Sequence, residues 1–297
     1  MKIGVIDLGS NSIRLVIYEY VDKQLNKLLN FKHQGKAVLF IKDNKMSDEG
    51  VEAIVSSLKQ LVFMAKIYEL DEFRIFATAS LRNIDNSAET VGKIEQQIHH
   101  KLEVLSDEEE SLYGFDAILR NEELPISGLT IDIGGGSMEI IYFKNRKVLY
   151  STSIPVGSLS FATKFVDEVI PTEDEQAEMR KFIRSHYESL PWLKAIQVNT
   201  IIGIGGTSRG MFKMNKELDL EKSDTLKYES IATIANLGYE ASKQIINAVP
   251  DRLMTMLPGA IMIDELMQLV LANDFRASKM SVREGYIYNR ILNNYEQ

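Results

Sequence analysis

Residues 130–143 read TIDIGGGSMEIIYF, and the reading of this stretch decides the fold. A β-branched run ends in Asp132, three glycines and Ser137 follow, and a second apolar run carries Glu139. The pattern predicts two strands joined by a tight glycine turn. Gly134, Gly135 and Gly136 have no Cβ, so the turn can take positive φ and aim successive N–H groups at one point, forming an anion nest. Asp132, at the end of the first strand, faces the same point. A carboxylate has little reason to sit beside a phosphate unless a divalent cation lies between them. Taken alone, the stretch is equally compatible with an ordinary hairpin whose glycines only make the turn.

It is not alone. Residues 5–18 read VIDLGSNSIRLVIY, and at a constant offset Ile6, Asp7, Gly9 and Ser12 match Ile131, Asp132, Gly134 and Ser137. This is an internal repeat. Two copies of strand, acid, glycine turn and strand, one small domain apart, predict two similar lobes facing each other across a cleft.

The 297 residues are long for one core and comfortable for two. A formal net charge of −8 speaks against a general nucleic-acid binder, and it requires a local basic lining for any polyanionic substrate. The chain has no cysteine, which excludes disulfides and thiolate chemistry. Its first apolar run is broken by Asp7 and Gly9, against a signal peptide, and no run reaches membrane-spanning length. A cytoplasmic protein is the expectation.

Along the chain, 24–31 reads as a third meander strand and 33–44 as a polar, lysine-bearing loop. Helical spacing then runs from Val51 to Tyr68, and 73–77 reads as a buried strand. That strand empties into TASLRNIDN at 78–86, a loop at a strand's carboxyl end, where α/β folds bind ligands. Arg82 is there either a phosphate contact or a solvated loop arginine. Ser106 and Glu109 fit a capping box that opens a helix, which explains part of the acid run 107–110; Glu110 is not needed for the box. In the second half, 147–155 reads as a return strand and 200–204 as a strand feeding GIGGTSRGM at 203–211, a glycine loop that opens a helix. Residues 228–247 and 252–271 read as helices, the second broken by Pro258 and Gly259. A last strand is expected over 276–282 and a closing helix over 283–293. The four histidines show no ligand spacing, and Trp192 reads as a packing plug.

Together these residues resemble the exopolyphosphatase and guanosine pentaphosphate phosphohydrolase family of the sugar kinase, Hsp70 and actin superfamily. The resemblance rests on IDLGSNS at 6–12, TASLRNIDN at 78–86, LSDEEES at 105–111, IDIGGGSME at 131–139, GIGGTSRG at 203–210 and SVREG at 281–285. It implies an α/β fold of two ribonuclease H-like, actin-like ATPase domains with a cleft between them. These are placed at 1–124 and 125–297, with the last helix, about 283–297, a candidate to pack back on the first.

By the same resemblance Glu110 is the acid that positions or deprotonates the attacking water. Asp132 and Glu139 are the acids for magnesium or another divalent cation, with Asp7 counted beside them. Asp7, Gly9, Ser10, Asn11 and Ser12 form the first phosphate loop, and Gly134, Gly135, Gly136 and Ser137 the second. Arg82 and Asn86 hold the terminal phosphate, and Gly205, Gly206 and Thr207 line the other wall. The implied activity is removal of terminal phosphate from inorganic polyphosphate. The alternative is the same chemistry on guanosine pentaphosphate; an actin-like kinase or ATPase and a silent sensor are weaker rivals. A homodimer is left open, and no membrane or general nucleic-acid partner is expected.

Two departures from the family pattern stand out. The chain has no arginine between Arg14 and Arg74, which leaves Lys32, Lys36, Lys42 and Lys45 as substitutes without a bidentate fork. It also stops before the helical HD-type domain of longer relatives, so the resemblance is to the short form.

Overall fold

The computed structural model describes residues 1–33, 35 and 37–294; Gln34, Lys36 and residues 295–297 lie outside the described residues. The chain forms two compact units, Met1–Tyr113 with the segment from Val282 on, and Gly114–Ser281.

In the first unit β1 (Lys2–Leu8), β2 (Ile13–Val21) and β3 (Gln24–His33) form an antiparallel meander. The expected loop after it contains a 3-10 turn, Ala37–Phe40, and a small hairpin of β4 (Ile41–Lys42) and β5 (Lys45–Met46). Asp43 and Asn44 take positive φ at its tip, a conformation these two residue types tolerate. Helix α1 (Asp48–Ile67) starts at Ser47, whose side chain accepts from Gly50 N, with Asp48 and Glu49 in the first turn. Strand β6 (Glu72–Ala77), short helix α2 (Ala79–Arg82), α3 (Ser87–Ile98), β7 (Glu103–Val104) and α4 (Asp107–Asn121) follow. The sheet order is β3-β2-β1-β6-β7, with β6 parallel to β1 and β7 parallel to β6.

Side-chain alternation divides this sheet into two faces. Ile6, Leu8, Ile13 and Leu15 pack with Leu58, Leu61 and Val62 of α1 and with Ile94 of α3. On the opposite face Ile3, Val5, Val16, Tyr18 and Phe76 are covered by Tyr113 and by Val282, Tyr286, Ile287, Ile291 and Leu292 from the far end of the chain.

The second unit repeats the plan. Strands β8 (Ser127–Ile133), β9 (Met138–Lys144) and β10 (Lys147–Ile154) form the meander. Helices α5 (Ser158–Phe165), α6 (Glu173–Glu188) and α7 (Pro191–Lys194) lead to β11 (Thr200–Ile204) and α8 (Gly205–Glu217). Then come β12 (Leu226–Lys227), α9 (Tyr228–Ala235), α10 (Ser242–Ala248), α11 (Met256–Val270) and β13 (Asp274–Ala277). The order is β10-β9-β8-β11-β13-β12. Three antiparallel strands followed by two parallel strands beside the first is the ribonuclease H-like order, present twice, with β12 added antiparallel at the edge of the second sheet. A final α12 (Val282–Tyr286), a wider π turn (Ile287–Ile291) and a 3-10 turn (Leu292–Asn294) return to the first unit.

Several expected elements differ. Pro258 and Gly259 do not break α11: Pro258 falls in its first turn, where its missing N–H has no intrahelical partner to lose, and Gly259 N makes the helical bond to Thr255 O at 3.1 Å. The helix expected over 228–247 divides at Gly238 into α9 and α10. The last strand begins at Asp274 rather than at Arg276, because its pairing with β11 runs Thr200↔Asp274 to Gly203↔Ala277. Trp192 packs as expected, stacked 5.3 Å from Tyr150 with its Nε1 donating to Thr152 Oγ1. Among the described residues no helix is long and apolar enough to cross a membrane.

Candidate active site

The two glycine turns close with the same bond. Gly9 N donates to Ser12 O at 3.1 Å, and Gly134 N donates to Ser137 O at 2.9 Å. Across the strands, however, the repeats differ. Asp7 stands opposite Arg14, whereas Asp132 stands opposite Glu139. Directly opposed residues of an antiparallel pair share a face, so one acid meets a cation and the other meets a second acid.

In the first unit Asp7 Oδ2 also receives Arg283 Nη1 at 2.7 Å. Burial opposes the charge on Arg283, and Asp7, Tyr18 and Glu284 outweigh it, holding its pKa above the ordinary arginine value. The N–H groups of Ser10 and Asn11 have no backbone acceptor among the described residues, while Ser10 O accepts from Val38 N at 3.2 Å.

Arg82, at the end of α2, reaches Glu110 Oε2 at 2.7 Å and Leu105 O at 3.0 Å through Nη1, and Asp107 Oδ1 at 2.6 Å through Nη2. Arg82 and Glu110 are each 11% exposed, so the pair is sheltered, whereas Asp107 is half exposed. The capping box forms: Glu109 N donates to Ser106 Oγ at 3.1 Å and Ser106 N to Glu109 Oε2 at 2.9 Å. Glu109 closes the helix start and also meets Arg290, while Glu110 meets Arg82. Asn86, expected at a terminal phosphate, spends both ends of its amide on Met46, receiving Met46 N at 2.9 Å and donating to Met46 O at 3.0 Å. It ties the β4–β5 hairpin to the start of α3.

Of the substitute lysines, Lys32 lies across β2–β3 from Arg14, and Lys42 and Lys45 face each other in the small hairpin. Lys36 is outside the described residues.

In the second unit the start of α5 shapes the glycine turn. Gly134 O accepts from Ser158 N at 2.8 Å, and Gly135 O accepts from Leu159 N at 3.1 Å and Ser160 N at 2.9 Å. With those carbonyls turned toward α5, the N–H groups of Gly135 and Gly136 have no backbone acceptor among the described residues. The expected positive φ is not taken, since among the described glycines Gly205 alone has it; the turn offers two N–H groups without backbone acceptors, not the left-handed geometry of a nest. Gly157 makes the turn possible: a Cβ there would stand 2.5 Å from Gly136 N and 2.7 Å from Gly134 O. Replacing Gly157 with Ala is expected to lower stability by about 1–3 kcal/mol, the usual cost of forcing a methyl into packed backbone. An unchanged melting temperature in scanning calorimetry would count against this packing.

Glu139 is buried and accepts Ser137 Oγ at 2.8 Å and Ser153 Oγ at 3.2 Å on Oε1. The Ser137 hydroxyl therefore serves the acid. Gly205, at φ +81°, lies against Asp132; a Cβ would sit 2.6 Å from Asp132 Oδ1. Thr207 is fully buried, and its Oγ1 donates to Ile133 O at 3.3 Å and accepts from Arg252 Nη1 at 3.4 Å. What this loop offers a ligand is backbone N–H and the start of α8.

Arg252, which no motif flagged, packs against Gly206 so closely that a Cβ there would overlap its guanidinium. Burial lowers its pKa, Asp251 and Asp132 work against that, and nearby Arg209 adds to it. It follows Pro250 in a short turn with no periodicity, so its place depends on tertiary structure alone.

Among the described residues no group of three or more His, Cys, Asp and Glu is close enough to hold a metal. The Asp132 and Glu139 pair still suits magnesium, which binds through one or two carboxylates and completes its shell with water and substrate phosphate. Two acids on one face beside backbone N–H groups without acceptors are the donor set such an ion requires. A cavity of about 310 Å³ lined by Phe73, Arg74, His100 and Tyr286 lies at the opposite end of β6 from α2 and belongs to neither loop.

Comparison with known proteins accords with this plan. A "Putative exopolyphosphatase" of Haemophilus influenzae is 23% identical over 302 residues, covering 97% of this chain and 91% of its own. The guanosine-5'-triphosphate,3'-diphosphate pyrophosphatase of Pseudoalteromonas atlantica is 25% identical over 99% of this chain, which spans only 59% of that protein. The crystal structure of an exopolyphosphatase from Cytophaga hutchinsonii superposes with a TM-score of 0.85 at 21% identity, covering 98% of this chain and 97% of that one. A Ppx/GppA family member from Aquifex aeolicus gives 0.79 at 22% identity, covering 99% and 98%. Residues 34–294 match the model of one phosphatase family. With its doubled fold and glycine turns, the chain belongs to the Ppx/GppA phosphatase family.

Proposed function

We propose that the chain is a divalent-cation-dependent exopolyphosphatase that hydrolyses the terminal phosphoanhydride of inorganic polyphosphate. The observation that carries this reading is the Asp132–Glu139 pair beside a glycine turn with two N–H groups that have no backbone acceptor among the described residues. Two carboxylates next to an anion site make chemical sense when a cation joins them to phosphate oxygens.

Glu110 is the group that orients the attacking water and takes its proton, and Arg82 holds that carboxylate in place. Asp132 and Glu139 hold the cation, which when bound spreads the charge that builds on the phosphoryl oxygens. Backbone N–H groups of the 9–12 and 134–137 turns bind phosphate oxygens, and the start of α8 with Arg252 adds positive potential. Guanosine pentaphosphate is the second substrate reading, because it presents the same terminal phosphoanhydride and one relative is named for it.

Phosphate release from tripolyphosphate, long-chain polyphosphate and guanosine pentaphosphate, measured side by side with Mg²⁺ and with EDTA, tests the assignment. Polyphosphate turned over faster, and lost in EDTA, is the expected result. Faster release from the nucleotide would replace the leading substrate, and release from none would remove the activity.

A further inference from the structure

The segment SVREG at 281–285 has so far only identified the family, yet its members make specific contacts within the first unit. Val282 and Tyr286 enter the core beside Ile3, Val5 and Phe76. Glu284, 4% exposed, accepts the Tyr18 hydroxyl at 2.5 Å and lies 3.5 Å from Lys27 Nζ. Gly285 lies against α4 one turn beyond Glu110; a Cβ there would overlap the backbone of Tyr113. Arg283, with its side chain 12% exposed, meets Asp7 Oδ2 at 2.7 Å. The two residues are 276 positions apart.

Asp7 raises a problem of charge. It ends β1 just before the 9–12 turn, so a bare carboxylate there would repel the phosphoryl group the turn is shaped to bind. In the second unit the corresponding acid faces another acid and calls for a cation. In the first, Asp7 faces Arg14 across the strands and is ion-paired to Arg283.

We propose that Arg283 is the positioning residue of the first phosphate loop: it neutralises Asp7 and fixes its carboxylate, so the 9–12 turn accepts a phosphoryl group without a cation of its own. Asp7, grouped with the metal acids by resemblance, then belongs to the anion site. Glu284 and Gly285 keep Arg283 in register by tying α12 to β2 and to α4. The inference rests on the phosphate reading given above.

The test uses the full chain and inorganic tripolyphosphate, with binding measured by calorimetry in EDTA so that the cation-dependent half is silent. Wild type is expected to bind. Arg283→Gln is expected to weaken binding about tenfold or more, because Asp7 is left uncompensated. Adding Asp7→Asn to that variant is expected to return affinity to within about threefold of wild type, a rescue that a purely structural role of Arg283 would not give. Wild-type affinity in Arg283→Gln, or a double variant as weak as Arg283→Gln, would overturn the proposal. Should Arg283→Gln fail to fold by circular dichroism, Arg283→Lys keeps the charge and is expected to hold affinity within about threefold. A folded Arg283→Lys that no longer binds would overturn the proposal equally. Wild type that is silent in EDTA yet turns over tripolyphosphate with Mg²⁺ would end this inference and leave the proposed activity standing.

Discussion

Glu110→Gln is expected to lower phosphate release by roughly 10²–10⁴-fold, the range carried by a positioned general base. Glutamine keeps the shape of the side chain and an oxygen for Arg82 Nη1, so the sheltered contact between α2 and α4 survives. It cannot take a proton from water. Binding should therefore remain while the chemical step is lost, and calorimetric titration with tripolyphosphate beside single-turnover phosphate release separates the two. Turnover within threefold of wild type would take Glu110 out of the base role. A parallel loss of affinity and melting temperature would mean that the residue mainly supports the fold.

Glu139→Gln acts on the other half of the chemistry. If the facing acids hold the cation, removing one should cost several kcal/mol of transition-state stabilisation, or about 10³ in kcat/KM. The Mg²⁺ concentration needed for half-maximal rate should rise, whereas Glu110→Gln leaves it unchanged. Stability should move the opposite way. Glu139 is buried opposite Asp132, and like charges directly opposed on neighbouring strands destabilise a sheet. In EDTA the variant should therefore melt higher than wild type, with Ser137 and Ser153 still able to donate to the amide oxygen. An unaltered Mg²⁺ dependence, or a lower melting temperature in EDTA, would argue that Glu139 is structural.

What could be read in advance was what short-range physics determines. The offset between 5–18 and 130–143 foretold two meanders with matched turns, and the closing bonds from Gly9 and Gly134 are the same bond made twice. Ser106 and Glu109 are three residues apart, and their reciprocal cap forms. Pro258 and Gly259 were misread as breakers because spacing alone does not say where a first turn lies; α11 begins at Met256. Hydrogen-bond partners distant in the chain were not legible at all. Asn86 looks like a free loop amide until β4 and β5 bring Met46 to it. Arg82 looks like a solvated or phosphate-seeking arginine until α4 begins beside it. Arg252 carries no local pattern, and the SVREG motif marks Arg283 without naming its partner; each takes its place only when a distant strand or turn arrives.

The order in which the polymer is made gives the coverage of the first sheet a further meaning. Ile3, Val5, Val16 and Tyr18 emerge from the ribosome early, but Tyr286, Ile287 and Ile291 that seal them emerge more than 260 residues later. At synthesis rates of ~5–20 residues per second the delay is roughly 15–60 s, long compared with local folding. The second unit, one unbroken segment, is itself made during that interval, while its companion waits with an oily flank bare. Newly made chains thus pass through a sticky stage that ends only when the closing strap lands, which is the stage a chaperone would have to guard.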